Sequence, residues 1–289
     1  MQKEKFIDYL SSEKRFSKHT ITSYSVDIDQ FLLFLSNKYQ IKKEISDISF
    51  QIVRSWIASL LEKGILPRSV VRKISTLRTY FKFLIREEYI HENPMLKIVS
   101  PKSKKRLPLF IEEDKIESLL NEIDFDDGFI GERDKLIIEL FYVTGIRLSE
   151  LIDIKISDIN ITNNIVKVLG KRNKERLIPL SVRTKDQLEY FIEKYNIDNY
   201  LFTKKDNKRV YTKLVYRVVK KYIGKISSIN KKSPHILRHT FATHMLNNGA
   251  DINAIKELLG HSNLAATQVY THNTIDKLKS VYKQAHPRA

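Results

Sequence analysis

Apolar periodicity runs along most of this chain and stops at one place. The stretch Pro101-Lys102-Ser103-Lys104-Lys105-Arg106-Leu107-Pro108 is bracketed by prolines, is rich in Lys and Arg, and shows no apolar repeat. A proline lacks the N–H that a helix interior needs, and it pushes the residue before it towards extended backbone. A helix therefore cannot run through this stretch, and the chain reads as two domains joined by a basic linker: residues 1–98, then 99–108, then 109–289. A length of 289 residues suits two ordinary domains.

The first domain reads as a helical bundle. A short helix is expected over 2–10, with Phe6, Ile7 and Leu10 apolar. Ser17 caps a second over Lys18–Leu35, whose stripe includes Ile21, Tyr24, Ile28, Phe31, Leu32 and Leu35. A third covers Phe50–Glu62 and stops at Gly64. Pro67 and Arg68 open a fourth, with Val71, Ile74, Leu77, Phe81 and Leu84 on one side. These spacings follow the 3.6-residue period. Arg68, Arg72, Lys73 and Arg78 lie on and around the fourth helix, where they either meet phosphates or a DNA groove or form a solvated face.

The second domain is expected to mix helices with a small sheet. Helices are predicted over Glu112–Glu122, Gly131–Val143, Val182–Tyr195 and Thr212–Ile226. A first strand is placed near Ile154–Ile159. Ile165–Leu169 and Glu175–Leu180 form a hairpin around the basic turn Gly170-Lys171-Arg172-Asn173-Lys174. Asn199–Phe202 is a short strand or an extended connection. A helix opens at Pro234, since a proline in the first turn forfeits no hydrogen bond. Another spans Ile252–Leu259 and ends at Gly260, suited to a left-handed cap. A last helix, Thr274–Gln284, carries Ile275, Leu278 and Val281, a stripe its own chain is not expected to bury.

Composition narrows the class. The hydrophobic share of 42% supports real cores, and there are no cysteines. A disulfide scaffold and thiolate metal sites are thereby excluded. No secretory segment or apolar run near 20 residues is seen, which points to a cytoplasmic protein. The formal net charge of +17 favours a polyanionic partner through counterion release and steering.

Chemistry-bearing residues gather in the second domain. His235 and Arg238 are three apart and share a helix face. His239 lies one step round, beside Ile236, Leu237 and Phe241, and reads as a histidine fixed in the fold. Gly145 breaks the preceding apolar helix and presents Arg147 near the start of the next, where anions bind well. Glu150 is placed to orient an arginine. His261 follows Gly260, and Tyr270 comes nine residues later. Arginine offers a planar fork matched to phosphate oxygens, and histidine moves protons near neutral pH. Tyrosine is a nucleophile once activated. Fixed cations answer the charge that builds on an attacked phosphodiester.

Taken together, the motifs Thr-Gly-x-Arg-x-Ser-Glu, Gly-Lys-x-x-Lys-Glu-Arg, His-x-Leu-Arg-His and Leu-Gly-His, followed by the tyrosine, resemble those of the tyrosine recombinases, or phage-type integrases, and within them the Xer recombinases. The resemblance covers nearly the whole chain. It implies a mainly α fold with a small β-sheet: an N-terminal helical core-binding (SAM-like) bundle and an α+β catalytic domain, clamping a DNA duplex from opposite sides. Lys104, Lys105 and Arg106 of the linker would then lie along the backbone. It implies a catalytic set of Arg147, Lys171, His235, Arg238, His261 and the nucleophile Tyr270, with no cofactor and no metal. It implies double-stranded DNA as partner, a homo- or hetero-tetramer assembled on it, and a C-terminal helix that docks on a neighbouring protomer. Dimer resolution at a dif-like site is the expected role, with integration of a mobile element as the alternative. Rival readings are a non-catalytic DNA-binding regulator, a type IB topoisomerase, and a metal-dependent hydrolase suggested by the i, i+4 spacing of His235 and His239.

Overall fold

Helix α4 (Pro67–Arg86) shows how the first part of the chain folds. Pro67 stands in its first turn, and Val70, Ile74, Leu77, Phe81 and Leu84 recur three or four residues apart and are all buried. The computed structural model describes residues 2–39, 45–102, 109–170, 175–229, 232–260 and 272–289. Three further helices, α1 (Gln2–Ser12), α2 (Lys18–Tyr39) and α3 (Phe50–Glu62), pack their apolar faces against α4. Phe31 and Trp56 meet edge-on at 5.0 Å, as do Phe6 and Tyr80. Each such ring buries a large apolar area in the bundle core.

The bundle also holds a buried charge cluster. Asp27 is fully buried and accepts hydrogen bonds from Arg72, from Lys73 Nζ at 2.8 Å and from Thr76 Oγ1 at 2.9 Å. Lys73 is itself only 6% exposed and also donates to Gln30. This corrects the reading of Lys73 as a groove contact: a buried carboxylate needs paired donors, and Lys73 is one of them. Arg78 donates to the Ile98 carbonyl at 2.7 Å and so ties the end of the bundle to its own helix α4. Arg68 is exposed. Lys104, Lys105 and Arg106 lie outside the described residues.

The chain divides into two units, Met1–Arg106 and Leu107–Ala289. The second begins with α5 (Glu113–Asn121), α6 (Gly128–Thr144) and the short α7 (Leu148–Asp153). A three-stranded antiparallel sheet follows in the order β1 (Ile159–Asn160), β2 (Ile165–Leu169), β3 (Glu175–Pro179), with Val166 opposite Ile178 and Leu169 opposite Glu175. Then come α8 (Val182–Lys194), α9 (Thr212–Ile226), α10 (Pro234–Asn247), α11 (Ile252–Leu259) and α12 (His272–Ala285). The core runs from α5 and α6 through the sheet to α9 and α10, with Phe141, Tyr142, Ile178, Phe202 and Leu237 at its centre. The second half of α6, from Leu136 to Thr144, is buried all round, as expected of a nearly all-apolar helical stretch, while in its first half Arg133 and Asp134 are buried as a pair.

The first strand does not begin at Ile154. Asp158 accepts from the Lys155 N–H at 3.0 Å, so Ile156–Asp158 forms a 3₁₀ turn and only Ile159–Asn160 pairs as strand. A short Asp side chain offering the backbone a local partner commonly displaces a ladder in this way. Asn199–Phe202 is an extended connection, bridged to Lys155 through Tyr200.

The apolar stripe of α12 is covered where the sequence led us to expect it open. Its Leu278, Tyr282 and Ala285 are buried by their own domain, in a cluster with Phe241, Met245, Leu258 and Leu259. The tail beyond it is also anchored. His286 Nε2 lies 3.2 Å from the Tyr142 carbonyl, and Arg288 donates to Glu117 at 2.7 Å. The apolar stripe therefore has a place on its own chain. Among the described residues no helix is long and apolar enough to cross a membrane.

Candidate active site

Two glycines shape the site. Gly145 ends α6 with φ +58°, and a Cβ there would sit 2.5 Å from Phe241 Cδ1 and 2.7 Å from Leu259 Cδ2. It is the point where α6, α10 and α11 converge. Gly260 ends α11 with φ +63°. Only glycine takes such backbone without penalty. At the other end of α11, Asp251 accepts from the N–H groups of Asn253 and Ala254, a side-chain cap of the usual kind.

The C-terminal end of α11 leaves carbonyls without helical partners, as every helix end does. Here three consecutive carbonyls accept from three arginines. Arg176 Nε donates to Leu258 O at 2.8 Å, Arg238 Nη2 to Leu259 O at 2.6 Å, and Arg147 Nη2 to Gly260 O at 2.7 Å. The negative end of the helix dipole favours cations there. Arg238 Nη1 also donates to the Gly145 carbonyl at 2.6 Å. Guanidiniums from β3, α10 and the start of α7 are thus drawn to one spot.

One carboxylate lies among them. Glu150, 4% exposed, receives four hydrogen bonds of 2.8 Å: from the backbone N and Nη1 of Arg147 and from Nη1 and Nη2 of Arg176. Burial alone would raise its carboxyl, but the hydrogen bonds and charge of Arg176, with those from Arg147, carry it down to about 2. Three guanidiniums and one carboxylate leave two net positive charges. Each guanidinium has five donors, and the contacts to Glu150 and the carbonyls leave donors on Arg147 and Arg238 for an anion. Burial, then repulsion from Arg147 and Arg176, lowers Arg238 to about 9, still cationic at neutral pH.

His235 stands on α10 one turn before Arg238 and is exposed. Its pKa is lowered by partial burial and by the neighbouring charges of Arg238, His239 and Arg147, so the imidazole is neutral at pH 7 and able to take a proton. His239 is exposed, which corrects its reading as a fixed core residue. The buried histidine of this helix is His244, 3.0 Å from the Tyr142 hydroxyl. Among the described residues no group of three or more His, Cys, Asp or Glu is arranged to hold a metal ion. Behind Glu150 a cavity of about 360 Å³ is lined by Asp153, Asp158, Lys167 and Glu175 among others. Its carboxylates would repel a phosphate, which leaves the arginine face as the anion side.

Of the six residues in the expected catalytic set, Arg147, His235 and Arg238 are brought together. Lys171, His261 and Tyr270 lie outside the described residues. In sequence Lys171 falls between β2 and β3, and His261 directly follows the glycine that ends α11. Arg176 was missed. Its signal lay in strand phase: on β3 it shares the inward face with Ile178, where an arginine can only be stable if paired.

The phage integrase family matches residues 109–276, and the phage integrase N-terminal SAM-like domain matches residues 4–88. Tyrosine recombinase XerC of Bacillus pumilus is 37% identical over 294 residues, covering 98% of this chain and 95% of the relative. Tyrosine recombinase XerD of Staphylococcus haemolyticus is 36% identical over 297 residues, covering 99% and 98%. Among solved structures, the XerH site-specific recombinase bound to palindromic difH substrate superposes with a TM-score of 0.74 at 20% identity, covering 96% of this chain and 82% of that one. The Tn1549 transposon integrase in complex with circular intermediate DNA gives 0.71 at 20% identity, covering 96% and 97%. At these identities the structures attest the fold.

Proposed function

The chain belongs to the phage integrase family, the tyrosine recombinases, and we propose that it is a site-specific recombinase that cuts and rejoins double-stranded DNA through a 3′-phosphotyrosyl intermediate. The observation that carries this reading is the convergence of Arg147 and Arg238 on the carbonyls of Leu259 and Gly260, at the chain position from which the sequence runs on to His261 and Tyr270. A doubly positive site with free guanidinium donors suits a phosphodiester whose charge rises in the transition state.

In the reaction, the Tyr270 hydroxyl attacks the scissile phosphorus. Its proton passes to a base, the role given to neutral His235. The O–P bond to tyrosine forms as the bond to the 5′ oxygen breaks, and Lys171 protonates the departing 5′ oxygen. Arg147 and Arg238 hold the non-bridging oxygens, and His261 bonds the phosphate. The bond energy is kept in the phosphotyrosine, so rejoining by a new 5′-hydroxyl needs no nucleotide. Synapsis of two sites requires four protomers, either all of this chain or shared with a second Xer-type recombinase. Resolution of chromosome or plasmid dimers at a dif-like site, in the cytoplasm, is the role that fits relatives named XerC and XerD.

A nicked suicide duplex bearing a candidate dif-like site, incubated in chelator and run on a denaturing gel, tests this. Wild type is expected to give a slower covalent protein–DNA band that Tyr270→Phe lacks. A band that survived in the Phe variant would move the nucleophile elsewhere. Loss of the band in chelator would return the metal-dependent hydrolase to the front.

A further inference from the structure

Arg176 has no part in this chemistry, yet it is the most heavily bonded of the three arginines at the site. It is 4% exposed, and all three of its nitrogens donate: Nη1 and Nη2 to the two oxygens of Glu150, and Nε to the Leu258 carbonyl, each at 2.8 Å. It reaches the site from β3, whose other inward residues are apolar. Resting on the recombinase reading, we propose that Arg176 is the positioning residue that fixes Arg147 for phosphate binding, acting through Glu150.

A carboxylate offers about four lone-pair sites, and on Glu150 Arg176 and Arg147 fill two each. The fork of Arg176 fixes the carboxylate plane, because bidentate pairs admit one orientation. The carboxylate then holds Arg147 at both its backbone N and its Nη1, so the direction of that guanidinium follows from the position of Arg176. Charge acts in the same direction. Glu150 paired with Arg147 alone would cancel the arginine's charge at the place a phosphate needs it. Arg176 supplies the balancing charge from the inner side, which leaves that of Arg147 available to the substrate. Arg176 also closes the α11 end: a Cβ on Gly260 would lie 3.1 Å from its Cδ and 3.2 Å from its Nη1. The residue that precedes His261 is thus held bare by the same guanidinium.

The test is covalent-complex formation on three nicked duplexes of one sequence. One has a natural scissile phosphate. One carries a methyl in place of a non-bridging oxygen, which removes the charge Arg147 would meet. One has sulfur in place of the bridging 5′ oxygen, a leaving group that needs no proton. Arg176→Lys keeps the charge but not the fork, and is expected to slow the natural substrate by roughly 10- to 100-fold, as loss of an orienting partner commonly does. On the methylated substrate its rate should return to within about 3-fold of wild type, because positioned Arg147 no longer matters there. Rates on the three duplexes are compared within one preparation, so a smaller folded fraction cancels. If Arg176→Lys yields no soluble protein, the double variant Arg176→Gln, Glu150→Gln removes both buried charges together and takes the same test. Rescue on the sulfur substrate instead would place Arg176 behind the lysine between β2 and β3 and overturn the proposal. An equal loss on all three would make it a structural residue only and overturn it too. Wild type failing on every substrate would be a failure of the recombinase reading itself.

Discussion

At the scale of single residues, the site is organised by a carboxylate rather than by its arginines. The Glu150 carboxyl is held at about 2, against 4.5 for the free group. The stability this supplies is complete above the ordinary carboxyl pKa and is lost as pH falls through about 2; it amounts to on the order of 3 kcal/mol at neutral pH. Glu150→Gln should therefore cost about 3 kcal/mol at pH 7 by urea denaturation, and the gap from wild type should shrink to less than half by pH 3. His235 gives a second expectation, of opposite sign. Its lowered pKa keeps the neutral form dominant at pH 7, so cleavage should fall off only below the ordinary histidine value of about 6.5. That acid limb should vanish from the pH–rate profile of His235→Gln. Much at this scale was legible in the sequence, because the spacing of His235 and Arg238 and the glycine before Arg147 each carry a mechanism. Arg176 was hidden because a charged residue in a strand normally faces water. His239 was misplaced because one step from Arg238 on α10 turns a side chain outward, not towards the apolar face.

At the scale of elements, the ends matter more than the bodies. The helices were readable from periodicity and capping residues, and α3, α9 and α11 have the bounds their sequence implied. What periodicity could not give is where elements meet. Gly145→Ala would drive a Cβ into Phe241 and Leu259, both core residues, while Gly260→Ala would press on a side chain. Both also carry a left-handed penalty of about 1–2 kcal/mol. Thermal denaturation should show Gly145→Ala as the more destabilised of the two. Periodicity was equally silent on what covers α12, since an apolar stripe does not name its partner. Leu278 is 4% exposed on its own domain. Leu278→Ala should then cost about 2–5 kcal/mol in DNA-free protein at low concentration. No change in stability there would mean that a neighbouring protomer, not this chain, is what the stripe serves.

At the scale of the whole molecule, the proline-bracketed basic stretch separates two cores that share no cluster: one built on Phe6, Phe31, Trp56 and Phe81, the other on Phe141, Ile178 and Leu237. A domain with its own core can in principle fold alone. The chain has a single tryptophan, and Trp56 lies in the first core at 2% exposure. Its fluorescence therefore reports the N-terminal unit alone, whereas far-ultraviolet dichroism reports helices of both. Phe141→Ala removes a fully buried ring from the second core and should cost that unit about 3–5 kcal/mol. In urea, part of the dichroism transition should shift to lower concentration while the fluorescence midpoint stays where it is in wild type. A fluorescence midpoint that moved by the same amount would show that the two units unfold as one. The linker would then be transmitting stability between cores, which a proline-bracketed, lysine-rich segment with no apolar repeat has no means of doing through its own packing.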